Sequence, residues 1–258
     1  MDAKKKSCSD GNIKIKDSEA NHVDLDDHKC SEELELGLSL EKLNHSPKKK
    51  LLIMNINGFL LHRAHISDKK AIPKSRTADH EYRYFLRYKR PFTEEFMKFC
   101  LERFEVGLWS SRSERSIDGA LECVMGDSKN KLLFVWLHNI YLKSLKRNDK
   151  PFKELKEVWD DVKKGCPYSA SNTLMIDARP YRSFLNPLMH MLILTKSYNP
   201  EDKGDKALDP NGDLCKYLKG VAEVEDVQSY VRDNAFGVPA ITTSHPHWGN
   251  FILVFVHL

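Results

Sequence analysis

At 258 residues and 41% hydrophobic content, the chain has room for one substantial folded domain with a tail left over. Its 41 basic and 37 acidic residues give a net charge of +4 and are interspersed, so the surplus forms no field suited to nucleic acid. Cys8, Cys30, Cys100, Cys123, Cys166 and Cys215 make no Cys-x-x-Cys pair or Cys/His cluster, which argues against a zinc site or a disulfide framework and for a reducing compartment.

The first 46 residues read as a disordered arm. Up to about residue 33 they are rich in Lys, Asp, Ser and Asn and hold too little apolar surface to offset the entropy of ordering. Behind Met1-Asp2-Ala3-Lys4-Lys5-Lys6 there is no apolar leader segment, and nowhere does an apolar run reach the roughly 18 residues of a membrane span. Leu34, Leu36, Leu38 and Leu40 alternate, and an extended chain would place them on one face. Two readings follow: a strand or short helix packed on the domain itself, or a peptide that docks in a partner's groove.

A folded domain is expected from 47 to 240. Leu51–Met54 is an apolar run too short for a helix and closed by Asn and Gly, which fits a buried strand. A polar stretch then runs to about Asp79, and the aromatic segment Tyr82–Tyr88 predicts a sheet segment ended by Arg90-Pro91. Phe96, Phe99, Cys100 and Phe104 recur at helical spacing behind Thr93-Glu94-Glu95, predicting a helix over 92–103. Strands follow at 105–109, 132–136, 172–177 and 191–194, with helices at 113–125 and 152–162. This alternation predicts an α/β fold with a mostly parallel sheet between helical layers. In such sheets ligands sit beyond the carboxyl ends of the strands. Residues 241–258 form an extension of uncertain structure.

The strand ends carry Asn55-Ile56-Asn57-Gly58, Ser110-Ser111-Arg112 and Asp177-Ala178-Arg179-Pro180, with Lys153 at the start of a helix between the last two. Taken singly, each has a plain explanation: Asn-x-Asn-Gly is a common turn, Ser110 or Ser111 could cap the next helix, and Lys153 could be a solvated helix residue. Together with Lys89-Arg90-Pro91, Phe104–Arg112, Lys150–Leu155, Asn172–Asp177, Leu214–Tyr217 and Phe236-Gly237, their order and spacing resemble the FCP-homology phosphatases. This family of the haloacid dehalogenase superfamily dephosphorylates the carboxy-terminal tail of RNA polymerase II and includes a mitochondrial inner-membrane import receptor. The resemblance covers about residues 50 to 237. It implies a three-layer sandwich with a small antiparallel insertion.

Family members carry Asp-x-Asp-Gly at the end of the first strand. The first carboxylate attacks phosphorus, and the second protonates the leaving oxygen and later activates water. Magnesium is held by the first carboxylate, the backbone carbonyl of the second, and a side-chain oxygen of the later acidic motif. By the same resemblance, Asn55 stands at the nucleophile's position and Asn57 at that of the acid/base, and an amide offers neither an anionic oxygen nor a proton. The later motif reads Asp177-Ala178, and alanine cannot ligate a metal. Ser110 and Lys153 match the pair that holds phosphoryl oxygens.

The expectation is a phosphatase-like protein that binds phosphorylated or acidic segments without hydrolysing them, with magnesium weak or lost at Asp177. An active magnesium-dependent Ser/Thr phosphatase and an import-receptor-like scaffold are the alternatives. The scaffold would call for an Arg-rich, acid-poor leader and a membrane span, so nucleus or cytoplasm is expected ahead of mitochondrion. Leu34–Leu40 resembles leucine-ladder peptides that recruit transcriptional corepressors.

Overall fold

The computed structural model describes residues 49–110, 117–137, 155–162, 168–179 and 191–238. The leucine ladder at 34–40, Ser111, Arg112, Lys153, Pro180 and the 241–258 extension lie outside these residues.

Leu51–Met54 is the centre of the sheet. It forms β1 (Lys50–Met54), and all four residues are fully buried. A strand lacking polar alternation must be covered on both faces and both edges, and β1 is. On one edge it pairs in parallel with β5 (Phe104–Ser110), which sets Leu52 opposite Val106 and Met54 opposite Leu108. On the other it pairs in parallel with β7 (Thr173–Asp177), which sets Ile53 opposite Met175 and Met54 opposite Ile176. β6 (Phe134–Leu137) lies outside β5, and β8 (Leu192–Leu194) lies outside β7. The five-stranded order β6-β5-β1-β7-β8 is parallel throughout, as the strand and helix alternation predicts.

Five α-helices are found among the described residues: α1 (Thr93–Arg103), α2 (Ile117–Met125), α3 (Leu155–Asp161), α4 (Asp213–Glu223) and α5 (Val227–Asp233). Strand alternation sends side chains to two cores. Leu52, Met54, Val106, Leu108, Leu174 and Ile176 pack with apolar residues of α1, α2, α4 and α5. Leu51, Ile53, Trp109 and Met175 pack with Leu155 and Val158 of α3. Helix, sheet and helix are the three expected layers. None of the described helices is long and apolar enough to cross a membrane.

α1 is started by a sharp turn rather than by a side-chain cap at its first position. Phe92 adopts a left-handed conformation with φ 63°, and Thr93 Oγ1 donates to the carbonyls of Arg90 at 2.7 Å and Leu60 at 3.1 Å. Phe96, one turn in, is fully buried edge-on to Phe59, with ring centroids 5.9 Å apart. Burying a side chain of that size is worth about 1.5–3 kcal/mol.

The insertion is a second, antiparallel sheet in the order β2-β4-β3, built from β2 (Leu61–His65), β3 (His80–Tyr82) and β4 (Phe85–Lys89). Two local expectations are corrected here. The stretch up to Asp79 read as polar contains β2, of which only Leu61 and Ala64 are buried, so no period-two pattern is visible in the sequence. The aromatic segment 82–88 is not one strand but parts of two, reversed at Arg83, where φ is 56°. Beyond β8, the sequence reading assigned no helix, yet α4 and α5 are present. The chain then returns to the sheet, where Val238 N–H donates to the Leu194 carbonyl at 2.6 Å and Gly237 bridges Leu194. Gly237 has φ +87°, and a β-carbon on it would lie 2.2 Å from that carbonyl oxygen, so only glycine fits.

Candidate functional site

β1 ends at Met54, and the next residue is already part of the rim. Asn55 is 1% exposed, and its backbone N–H donates to the Ile176 carbonyl at 3.1 Å, continuing the β1–β7 ladder by one step. The same step sets Asn55 beside Asp177, the fully buried last residue of β7. Alternation from Ile53 and Met175 puts both side chains on one face of the sheet. The chain then folds on itself: Leu60 and Leu61 N–H donate to the Ile56 carbonyl, and Gly58 N–H donates to the Leu61 carbonyl at 2.7 Å. Gly58 has φ +92°, which a residue with a side chain adopts only with strain. A β-carbon there would lie 3.1 Å from Ser197 Oγ and 3.7 Å from the Ala178 methyl, so this turn sits directly against both.

Inside the turn, the Asn55 side-chain amide donates to the backbone carbonyl of Asn57 at 2.5 Å. Nitrogen and not oxygen faces that carbonyl, because two acceptors at this distance would repel. Asn57 is half-buried, and it bridges Leu61 at the start of β2. On β7, Asp177 Oδ1 accepts from Arg179 N–H at 3.0 Å, and the Asp177 carbonyl accepts from Thr195 N–H at 3.0 Å. Ser110, 5% exposed, ends β5 one step past the position opposite Asn55.

Thus Asn55, Asn57, Ser110 and Asp177 lie at or just beyond the carboxyl ends of three neighbouring strands; Lys153 lies outside the described residues. Thr195 and Ser197, at the end of β8, were not singled out from sequence. The strand-end rule that pointed to the other four would have found them behind the apolar run ending at Leu194. Thr195 Oγ1 is buried with no hydrogen-bond partner among the described residues.

This set is rich in neutral hydrogen-bonding groups, with one carboxylate. It suits an oxyanion that accepts hydrogen bonds. It does not suit magnesium, which takes hard oxygen ligands at near-octahedral positions. The Asn57 carbonyl already accepts an N–H, and Ala178 has no side-chain oxygen. The three cysteines among the described residues, Cys100, Cys123 and Cys215, are buried, and burial raises each thiol, that of Cys215 to about 11.

A clamp behind the rim fixes the turn. Arg90, from the Lys89-Arg90-Pro91 motif, donates through Nη1 to the Phe59 carbonyl at 3.1 Å and through Nε and Nη2 to the Asp205 carboxylate at 2.9 Å. Tyr198 N–H donates to the Gly58 carbonyl at 2.8 Å, and Tyr198 Oη accepts from Arg76 in the insertion.

The sequence is similar to those of several known proteins. An uncharacterized FCP1 homology domain-containing protein of Schizosaccharomyces pombe is 25% identical over 206 residues, covering 74% of this chain and 79% of that one. The ubiquitin-like domain-containing CTD phosphatase 1 of Danio rerio is 26% identical over 220 residues, 83% of this chain and 58% of its own length. Its Xenopus tropicalis counterpart is 24% identical over 170 residues, 64% of this chain and 48% of its own. The chain therefore spans about half the length of these two phosphatases. Among solved structures, that of Fcp1, an essential RNA polymerase II CTD phosphatase, is matched over 86% of this chain and 65% of that one, with 14% identity and a TM-score of 0.41. The family of NLI interacting factor-like phosphatases matches residues 50–228, most of the sequence, and this chain belongs to it.

Proposed function

We propose that this chain uses a phosphatase fold to hold a phosphorylated or acidic protein segment at the β1–β5–β7 rim without hydrolysing it. One observation carries the reading: Asn55, which by the sequence resemblance takes the place of the family's nucleophilic carboxylate, is buried beside Asp177 at the end of the central strand, and its amide is engaged with a backbone carbonyl. A neutral amide in that place has no lone pair of carboxylate strength for phosphorus, and Asn57 has no proton to give a leaving oxygen. Ser110 would donate to a phosphoryl oxygen, and Lys153 would bring the positive charge, by their match to the family's phosphate-holding pair.

Support for a phosphoprotein ligand comes from the relatives named as CTD phosphatases. On this reading the chain acts in the nucleus or cytoplasm, and magnesium contributes little or nothing. The ladder Leu34–Leu40 is proposed separately, on sequence alone, to dock a transcriptional corepressor. A peptide spanning 32–42 would then lose binding when Leu36 and Leu38 become alanine.

The test pairs a phosphatase assay of the purified chain with calorimetric titration of phosphorylated and unphosphorylated serine peptides. Binding of the phosphorylated form with no turnover is expected. Turnover by the unmodified chain, abolished by Asp177→Asn, would instead establish an active enzyme.

A further inference from the structure

We infer that the Asn55 carboxamide is a built-in replacement for a cation: its N–H···O=C bond to Asn57 holds the 55–58 turn in shape, so that the rim is formed, and takes a phosphate group, with no divalent metal. This rests on the reading of the rim as a phosphate-holding pocket, but it concerns how that pocket is organised.

Two electronegative groups, the side chain at 55 and the carbonyl at 57, face each other across the turn at hydrogen-bond distance. If residue 55 were a carboxylate, both would be acceptors, and the turn would close only around something positive. Here the positive element is the amide hydrogen itself. Asn55 is nearly fully buried, where an amide donor is costly to leave unsatisfied, so the bond is strongly preferred to solvation.

The rest of the turn is closed around the same centre. The Ile56 carbonyl accepts from Leu60 and Leu61, Gly58 is bonded at its N–H to Leu61 and at its carbonyl to Tyr198, and Arg90 holds Phe59 from behind. A cation entering between residues 55 and 57 would have to break the amide bond and leave its donor facing a positive charge. In return it would find there neutral oxygens and one carboxylate, that of Asp177, whose Oδ1 already accepts from the Arg179 N–H, and at position 178 a methyl group. Asn55 is thus a positioning residue, and the neutral amide loses nothing when a dianionic phosphate group approaches, whereas a carboxylate would repel it unless a metal stood between them.

The inference separates sharply from a merely structural role for Asn55. Magnesium chloride from zero to 10 mM, or EDTA, is added to the wild-type chain and to Asn55→Asp, Asn55→Ala and Asn55→Asp/Ala178→Asp, and the unfolding temperature is followed. The wild type should not move by more than about 1 °C. Asn55→Asp should melt several degrees lower in EDTA and be rescued by magnesium, more so with Ala178→Asp, while Asn55→Ala should melt lower and show no rescue. A simple loss of packing would lower all the variants alike and give no metal dependence.

Should the aspartate variants fail to fold, the wild type alone decides the question by electron paramagnetic resonance of manganese(II): the free-ion signal should be undiminished by an equimolar chain. Magnesium stabilisation of the wild type, or loss of the manganese signal, overturns the inference. Its failure is distinct from failure of the functional proposal. A serine phosphopeptide that binds only with magnesium sinks the metal-free pocket and leaves the binding function standing. A phosphopeptide that never binds, in a chain indifferent to metal, does the reverse.

Discussion

Arg90 and Asp205 are 115 residues apart in sequence and form a bidentate ion pair that is 3% and 9% exposed at its two side chains. The same guanidinium holds the Phe59 carbonyl, so the pair ties the turn after Asn57 to the loop that precedes α4. Removing one member of a buried pair strands the other charge. Asp205→Ala should cost about 3–5 kcal/mol in urea unfolding, while Arg90→Met/Asp205→Leu should cost much less than the sum of the single changes. Additive costs would mean that the two charges do not act as a unit.

Gly107, in the middle of β5, leaves no room for a side chain: a β-carbon there would lie 2.2 Å from the Phe134 ring on β6. Gly107→Ala should destabilise by about 1–3 kcal/mol, the usual range for overpacking. Trimming the obstacle in Gly107→Ala/Phe134→Leu should recover part of the loss. Equilibrium denaturation of the three variants reads this directly.

Alkaline pH should weaken the fold through its buried thiols and phenols, Cys215 and Tyr217 among them. Burial raises the Cys215 thiol to about 11 and the Tyr217 phenol to about 12. Both are neutral when protonated, so the folded state keeps its proton after the unfolded chain has lost it, and stability falls as pH rises. The decline should begin near pH 9 for the thiol and about a unit higher for the phenol, and flatten only above the folded values. Urea midpoints measured from pH 7 to 10.5 should drop more steeply for the wild type than for Cys215→Ala, and Cys100, Cys123 and Cys215, followed by peptide mapping, should resist iodoacetamide at pH 8 until urea is added.

Rebuilding chemistry at the rim should need three changes. Asn55→Asp and Asn57→Asp restore an attacking carboxylate and an acid, but position 178 still offers a methyl group against the turn at Gly58. A bound cation contributes several kcal/mol to such a transfer. Hydrolysis of p-nitrophenyl phosphate should therefore stay near background in the double variant and rise well above it when Ala178→Asp is added, with a lower magnesium requirement. Equal rates in both would mean that position 178 is irrelevant to the metal.

Much of this was legible in the sequence because the central strands are buried on both faces. Leu51–Met54, Val106–Trp109 and Leu174–Ile176 carry few polar residues, which marks them as interior strands, and the residues that follow them fall at the rim. β2 was not legible, since an edge strand with two buried residues in five leaves no pattern. Nor was the hairpin at Arg83, because arginine gives no sign of a positive φ. α4 went unassigned even though Leu214, Cys215, Leu218 and Val221 recur at helical spacing and are all buried. The bond from Asn55 to the Asn57 carbonyl was beyond reach: read as a sequence, Asn55 is only a missing charge, and its contribution depends on which way a backbone carbonyl turns.

The return of the chain at Gly237 has a consequence for how the sheet's margin is protected. Among the described residues β8 is a three-residue, wholly apolar strand at the margin of the sheet, the kind of margin on which another molecule's backbone can add. Val238 and Gly237 lie along the end of it and occupy the Leu194 carbonyl. Their hold depends on a single residue that tolerates an approach no β-carbon allows. Any substitution of Gly237 would lift this cover from the strand before it disturbed the rim at Asn55. Self-association, seen as light scattering that grows with protein concentration, would then appear in a chain whose pocket is still intact.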